Sequence, residues 1–147
     1  MKSTTIIPLE FVPLEEGYHL MITARVNGKE VRMLIDTGAS RTCFDRQRIV
    51  QIPAISEEDL EGLEKTGTGL GTNTMESAGA ILNTFCIGTL CLSEYPVVVI
   101  DMQHVNASYS QLDLPPIDGV IGSELLLQHQ AVINYARKHL ELTIEGC

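Results

Sequence analysis

The feature that most constrains this chain is a pair of apolar-patterned segments joined by Asn27-Gly28. In Tyr18 to Val26, Leu20, Ile22, Ala24 and Val26 alternate with polar residues and fall on one face of an extended strand. Asn27-Gly28 favours a two-residue hairpin turn, because both positions need φ > 0. Val31 to Ile35 is then the returning strand.

The remaining segments follow the same pattern of short strands and turn punctuation, which predicts an all-β domain. Ile6 to Val12 is expected as a first strand interrupted by Pro8. Arg41 to Phe44 reads as a short extended piece and Asp45 to Ile52 as a helical turn. Ser56-Glu57-Glu58-Asp59 resembles a helix start capped by Ser56, running to about Glu64. Thr66 to Thr74 reads as a loop or hairpin tip. Ala80 to Ile87 and Tyr95 to Asp101 are strands, and the apolar run Val97 to Ile100 predicts burial on both faces. Asn106 to Pro116 is expected as a loop, Ile117 to Ile121 as extended chain ending at Gly122, and Glu124 to about Gln130 as a short helix capped by Ser123. Val132 to Tyr135 and Leu140 to Ile144 form a final hairpin. No linker, repeat or low-complexity tract divides the 147 residues, so 1–147 is expected to be one domain.

Composition excludes several classes. At 44% apolar residues the chain is not disordered. A net charge of -9 repels phosphate backbones, and the absence of Trp argues against reading single strands by base stacking; no nucleic acid partner is expected. No stretch approaches the ~20 apolar residues of a membrane span, and the first residues lack the apolar run of a signal peptide. Cys43, Cys86, Cys91 and Cys147 show no Cys-x-x-Cys spacing. Cys86 and Cys91 are expected to be free core thiols, which points to a reducing cytoplasm. The four histidines are scattered, so no metal or other cofactor is expected. Gly67-Thr68-Gly69-Leu70-Gly71 follows a charged helical stretch instead of a strand, which excludes a nucleotide-binding loop.

The chemistry concentrates in Leu34-Ile35-Asp36-Thr37-Gly38-Ala39-Ser40. An apolar strand runs straight into an acid, a hydroxyl and a glycine. An acid at the end of a buried strand loses hydration and must be paired, hydrogen-bonded or protonated. Thr37 offers a hydroxyl to tie the loop down, and Gly38 permits a sharp turn or close backbone approach. Taken alone, the tripeptide also fits an ordinary turn.

In its context, Leu34 to Ser40 resembles the apolar-apolar-Asp-Thr-Gly-Ala-Ser signature of the retropepsin-like, retroviral-type aspartic peptidases. Ile117-Asp118-Gly119-Val120-Ile121-Gly122, followed by Ser123-Glu124-Leu125-Leu126, is similar to the later segment of that family. In element order the resemblance covers roughly Tyr18 to Ile144. It implies an acid-protease-like closed barrel, a single lobe with one or two short helices, in which the two segments cross. It also implies that Asp36 is the catalytic acid, that Thr37 joins the hydrogen bonds fixing the loops across a dimer, and that Gly38 meets substrate through its backbone. Ala39 and Ile121 would border the substrate. Gly69, Leu70, Gly71 and Thr72, at the tip of the Gly-rich segment, would act as a flap, although they lack the tyrosine or the glycine pair of better-known flaps and also fit a plain surface loop. Leu34, Leu70 and Ile121 are candidates for lining side-chain pockets.

The resemblance supplies one acid per chain, and the chemistry needs two. The chain has no second Asp-Thr-Gly or Asp-Ser-Gly, and Asp118 lacks a following hydroxyl residue, which marks it as a turn or supporting residue. Two Asp36 carboxylates meeting on the axis of a homodimer would complete a dyad that hydrolyses polypeptide substrates. Strands at the chain ends, Ile6 to Val12 and Leu140 to Ile144, are candidates for joining such a dimer. The rival expectation is a non-catalytic binding or assembly domain on the same fold; an enzyme of this fold acting on something other than peptides is a third.

Overall fold

The structure, a computed structural model, describes residues 2–14, 17–62 and 77–145. The expected hairpin is present: β3 (Gly17–Val26) pairs antiparallel with β4 (Lys29–Ile35), Val26 standing opposite Lys29. Asn27 and Gly28 take φ values of 51° and 84°, the left-handed pair that such a turn demands. Leu20, Ile22, Ala24 and Val26 all face the core.

Around this hairpin a closed barrel forms in the order β3-β4-β9-β5-β8-β7, completed by pairing of β7 with β3. Its other members are β5 (Cys43–Asp45), β7 (Ala78–Ile87), β8 (Leu90–Ile100) and β9 (Gly119–Ile121). The seam is narrow, made by Arg25 opposite Cys86 and Val26 opposite Phe85. Phe44, Leu82, Phe85, Val99 and Ile121 fill the interior with no measurable exposure. Each large side chain taken from water contributes about 1.5–3 kcal/mol to holding the barrel together. β2 (Glu10–Leu14) extends the sheet beyond β3, and β6 (Glu61–Gly62) extends it beyond β7. A separate three-stranded sheet joins β1 (Lys2–Pro8), β11 (His139–Glu145) and β10 (Val132–Asn134).

Several expectations are corrected. The expected first strand is two strands in two sheets: the proline that ends β1 has no N–H to continue a ladder, and Leu9 N–H turns to the Lys138 carbonyl (3.0 Å). β1 and β11 pair with each other within the chain. The helix expected after Ser56 is one 3-10 turn, Glu57–Asp59, because the Asp59 carboxylate folds back on the Ser56 N–H (2.8 Å) and the chain then enters β6. The expected loop after Asn106 holds a helix, α2 (Gln103–Gln111), which covers a second apolar cluster of Val12, Met21, Met102, Tyr109 and Ile117. Asn106 ties the helix to the segment that follows it, donating to the Ile117 carbonyl (3.2 Å) and accepting from the Ile117 N–H (2.8 Å). Of the Val97 to Ile100 run in β8, Val97 and Val99 are buried, while Val98 and Ile100 are half-buried.

Cys86 and Cys91 are neither free nor in the core. They face each other across the β7–β8 hairpin as a disulfide, one half-buried and the other exposed. As a bonded pair, these two cysteines do not point to a reducing compartment. No helix among the described residues is long and apolar enough to cross a membrane.

Candidate active site

The site is built where two chain crossings meet. β9 lies between β4, to which it is parallel, and β5, to which it is antiparallel, so Ile35 stands beside Ile121 and Phe44 beside Gly119. β4 ends at Ile35, and Asp36 carries the chain out of the sheet. Three hydrogen bonds fix it: Asp36 N–H donates to the Ile121 carbonyl (3.1 Å), Ala39 N–H donates to the Asp36 carbonyl (3.1 Å), and Gly38 N–H donates to Asp36 Oδ1 (2.9 Å). Asp36 Oδ2 has no hydrogen-bond partner among the described residues. Asp36 and Ala39 are half-buried, whereas Thr37 and Gly38 are exposed at the tip.

The second crossing locks the first. Thr42 is fully buried; its hydroxyl accepts from Gly122 N–H (3.1 Å) and its carbonyl from Val98 N–H (3.1 Å). Ser123 N–H donates to the Ala39 carbonyl (2.7 Å). Ser123 is therefore the first residue of α3 (Ser123–Gln128) and Gly122 its cap; the expectation that Ser123 caps with its side chain gives way because its backbone is committed to the Asp36 loop. Gly122 has to be glycine. A Cβ there would lie 2.5 Å from the Arg41 carbonyl oxygen and 2.8 Å from the Thr42 nitrogen. Gly119 is crowded in the same way, with Met33 Cε 2.9 Å and Phe44 Cα 3.2 Å from where a Cβ would stand.

Asp118 sits at the far end of β9 and does not reach the tip. It is nearly buried, accepting from Arg32 N–H (2.8 Å) and from Arg48 Nε (2.7 Å). Arg48 lies on α1 (Arg46–Ile49), whose start is capped by Asp45, another buried acid. Ile121 is fully buried, so the loop meets its backbone and not its side chain. Leu34 packs into the cluster under α2. The flap candidates Gly69, Leu70, Gly71 and Thr72 lie outside the described residues.

Three features were not legible in advance: the buried Thr42 hydroxyl, the contact of Gly122 with the Arg41 backbone, and a polar group under the loop made of Cys43, Tyr95 and Glu124. Tyr95 donates its hydroxyl to Glu124 Oε2 (2.7 Å), and burial followed by that bond pushes the phenol well above its ordinary range. Burial, then the charge of Glu124, pushes the Cys43 thiol upward, with a smaller push from Asp36. Cys43 is thus a neutral donor to the Arg41 carbonyl (3.3 Å) and not a nucleophile at neutral pH. No group of three or more His, Cys, Asp or Glu among the described residues is arranged to hold a metal.

A family model described as aspartyl protease matches residues 22–125, from within β3 to the first turn of α3. The chain belongs to the aspartyl protease family. No curated protein sequence matches this aspartyl protease chain. Among solved structures, a retropepsin-like aspartic protease from Rickettsia conorii is 21% identical, with a TM-score of 0.60 over 97% of this chain and 92% of its own. The retroviral protease-like domain of Ddi1 from Leishmania major is 16% identical, with a TM-score of 0.61 over 84% of this chain and 87% of its own. The EIAV protease, solved in complex with the inhibitor HBY-793, is 16% identical, with a TM-score of 0.54 over 84% of this chain and 99% of its own. These structures share the retropepsin-like fold.

Proposed function

We propose that residues 1–147 act as one domain, an aspartic endopeptidase that hydrolyses peptide bonds with a water activated by two Asp36 carboxylates, one from each subunit of a homodimer. The observation that carries this reading is the half-pinned carboxylate. Gly38 N–H holds Asp36 Oδ1, while Oδ2 has no hydrogen-bond partner among the described residues and lies beside an exposed Thr37-Gly38 tip. A rigid acid with one oxygen available is what a shared-proton pair requires. One carboxylate takes a proton from the attacking water while the other donates to the scissile carbonyl, and no covalent intermediate forms. Asp118 is committed to Arg48, so the second acid has to come from a second copy. Thr37, Gly38 and Ala39 stand where a neighbouring subunit or an extended substrate would meet the loop, and Gly69 to Thr72 would close over it.

Sedimentation together with digestion of a peptide library at about pH 4 to 6 tests the proposal. A dimer that cleaves, and an equally folded Asp36→Asn variant that does not, are expected. A stable monomer, or equal cleavage by both proteins, overturns it. A folded, inactive chain that still binds peptides would leave the binding-domain reading in its place.

A further inference from the structure

We infer that Arg41 selects peptides carrying an aspartate or glutamate side chain, which it receives in a cleft beside the candidate catalytic loop. The inference rests on the proposal above for the location of the substrate.

The cleft has a volume of about 450 Å³ and opens between Arg41, the β7–β8 ribbon and the turn before the 3-10 helix. Its walls are mostly apolar, including Ile55, Ala80, Ile81, Val97 and Val98. Ala80 stands opposite Val97 on the buried face of the ribbon, and Gly79 stands opposite Val98 on the other. Ile81 is 58% exposed and adds apolar surface at the rim of the cleft. Arg41 is the link between the cleft and the candidate site. Arg41 is backed against Gly122 through its main chain, and the next residue, Thr42, binds both Gly122 and Val98.

Two charged residues line the cleft, Arg41 and Asp59. They are not equivalent. The Asp59 carboxylate already accepts from the N–H and hydroxyl of Ser56 (2.8 and 3.2 Å). Arg41 is exposed and takes part in no salt bridge among the described residues, although the chain carries 19 acidic side chains against 10 basic ones. Arg32, Arg46 and Arg48 all have carboxylate partners. A guanidinium left without one beside an apolar wall presents a fork that fits a carboxylate, and the low-polarity surroundings strengthen the pair. The overall charge of -9 repels acidic peptides at long range, so any preference for an acid at one position has to come from a local cation.

The test uses the full chain in its Asp36→Asn form, which removes turnover and leaves binding to be read. A positional-scanning library of extended decapeptides is bound, and the affinity of a selected Glu peptide is compared with its Gln counterpart. Expected is a preference of roughly three- to tenfold for Glu or Asp at one position, shrinking with salt, as for a partly exposed ion pair. Arg41→Gln, checked for folding by circular dichroism, should abolish it. Arg41→Lys should retain part of it, and Arg41→Glu should turn it toward Lys and Arg. Failure of the Asp36-intact protein to cleave, with the acidic preference present, sinks the peptidase reading and leaves this one standing. Cleavage without an acidic preference, or a preference unchanged in Arg41→Gln, overturns this one and leaves the peptidase.

Discussion

Substituting Gly122 by alanine tests whether the loop crossing holds the site. The backbone at Gly122 has φ −95° and ψ 176°, which alanine adopts freely, so the effect is steric and not conformational. The new Cβ would stand 2.5 Å from the Arg41 carbonyl oxygen and 2.8 Å from the Thr42 nitrogen. Both are main-chain atoms, which no rotamer change can move aside. Restoring ordinary contact needs a shift of about 1 Å. That shift draws Gly122 N–H from the Thr42 hydroxyl, now at 3.1 Å, and Ser123 N–H from the Ala39 carbonyl, now at 2.7 Å. Two hydrogen bonds at about 1 kcal/mol each, plus the cost of a buried Thr42 hydroxyl left unpaired, give a loss of about 3 kcal/mol. Losing glycine as helix cap accounts for less than about 1 kcal/mol of that. With a urea slope of about 2 kcal/mol/M, the unfolding midpoint falls by about 1.5 M. Gly17→Ala is the control: a Cβ there meets nothing within 4 Å, and its effect should stay under about 0.5 kcal/mol. A midpoint for Gly122→Ala within about 0.3 M of the parent would refute the argument that the two loops are in obligatory contact.

Two further outcomes follow from the buried polar groups. Asp118→Asn should cost about 1–2 kcal/mol in the same denaturation assay, since the Asp118 side chain is 12% exposed and its Arg48 partner 37%. A double-mutant cycle with Arg48→Gln should return a coupling near 1 kcal/mol, and zero coupling would show that the pair is not formed in solution. Cys43, Tyr95 and Tyr109 all titrate above their ordinary values, burial being the first cause in each case. The folded state therefore keeps protons that the unfolded chain releases. Stability should be level between about pH 7 and 8.5 and fall as pH rises past about 9, a decline that Tyr95→Phe should soften. Thermal unfolding across that range checks the sign, and a rise in stability from pH 9 to 11 would contradict it.

What the sequence disclosed followed from how local the signals were. The Asn27-Gly28 hairpin, the final hairpin and the acid at the end of β4 depend on neighbours within a few residues, and all three lie where expected. α2 was missed because Gln103 to Gln111 has few apolar residues; it is held by Asn106 reaching Ile117 and by Tyr109 in the second cluster, contacts that no local period encodes. The helix after Ser56 was overextended because acids near a helix start fit a long helix and a single capped turn equally well. Cys86 and Cys91 were misjudged for a related reason. Their sequence separation of 5 suggested nothing until the hairpin register set them face to face.

The two Asp residues of the crossing are placed so that only one of them, Asp36, stands at the exposed loop tip. Asp36 and Asp118 both adjoin the β4–β9 pair, but at opposite ends of it. Asp36 lies past the last paired residue, Ile35, where the chain leaves the sheet and one carboxylate oxygen has no hydrogen-bond partner among the described residues. Asp118 lies before the first paired residue of β9, Gly119, and its carboxylate is taken up by Arg32 N–H and Arg48. Because β9 runs parallel to β4, the residue that leads into it is carried to the end away from the residue that leads out of β4. No rotamer of Asp118 brings it across the length of the strand pair to Asp36. On the proposed reading, a proton-sharing pair requires a second Asp36 on the exposed side of the tip. Activity should therefore fall steeply on dilution below the dimer dissociation constant while the fold of each chain persists.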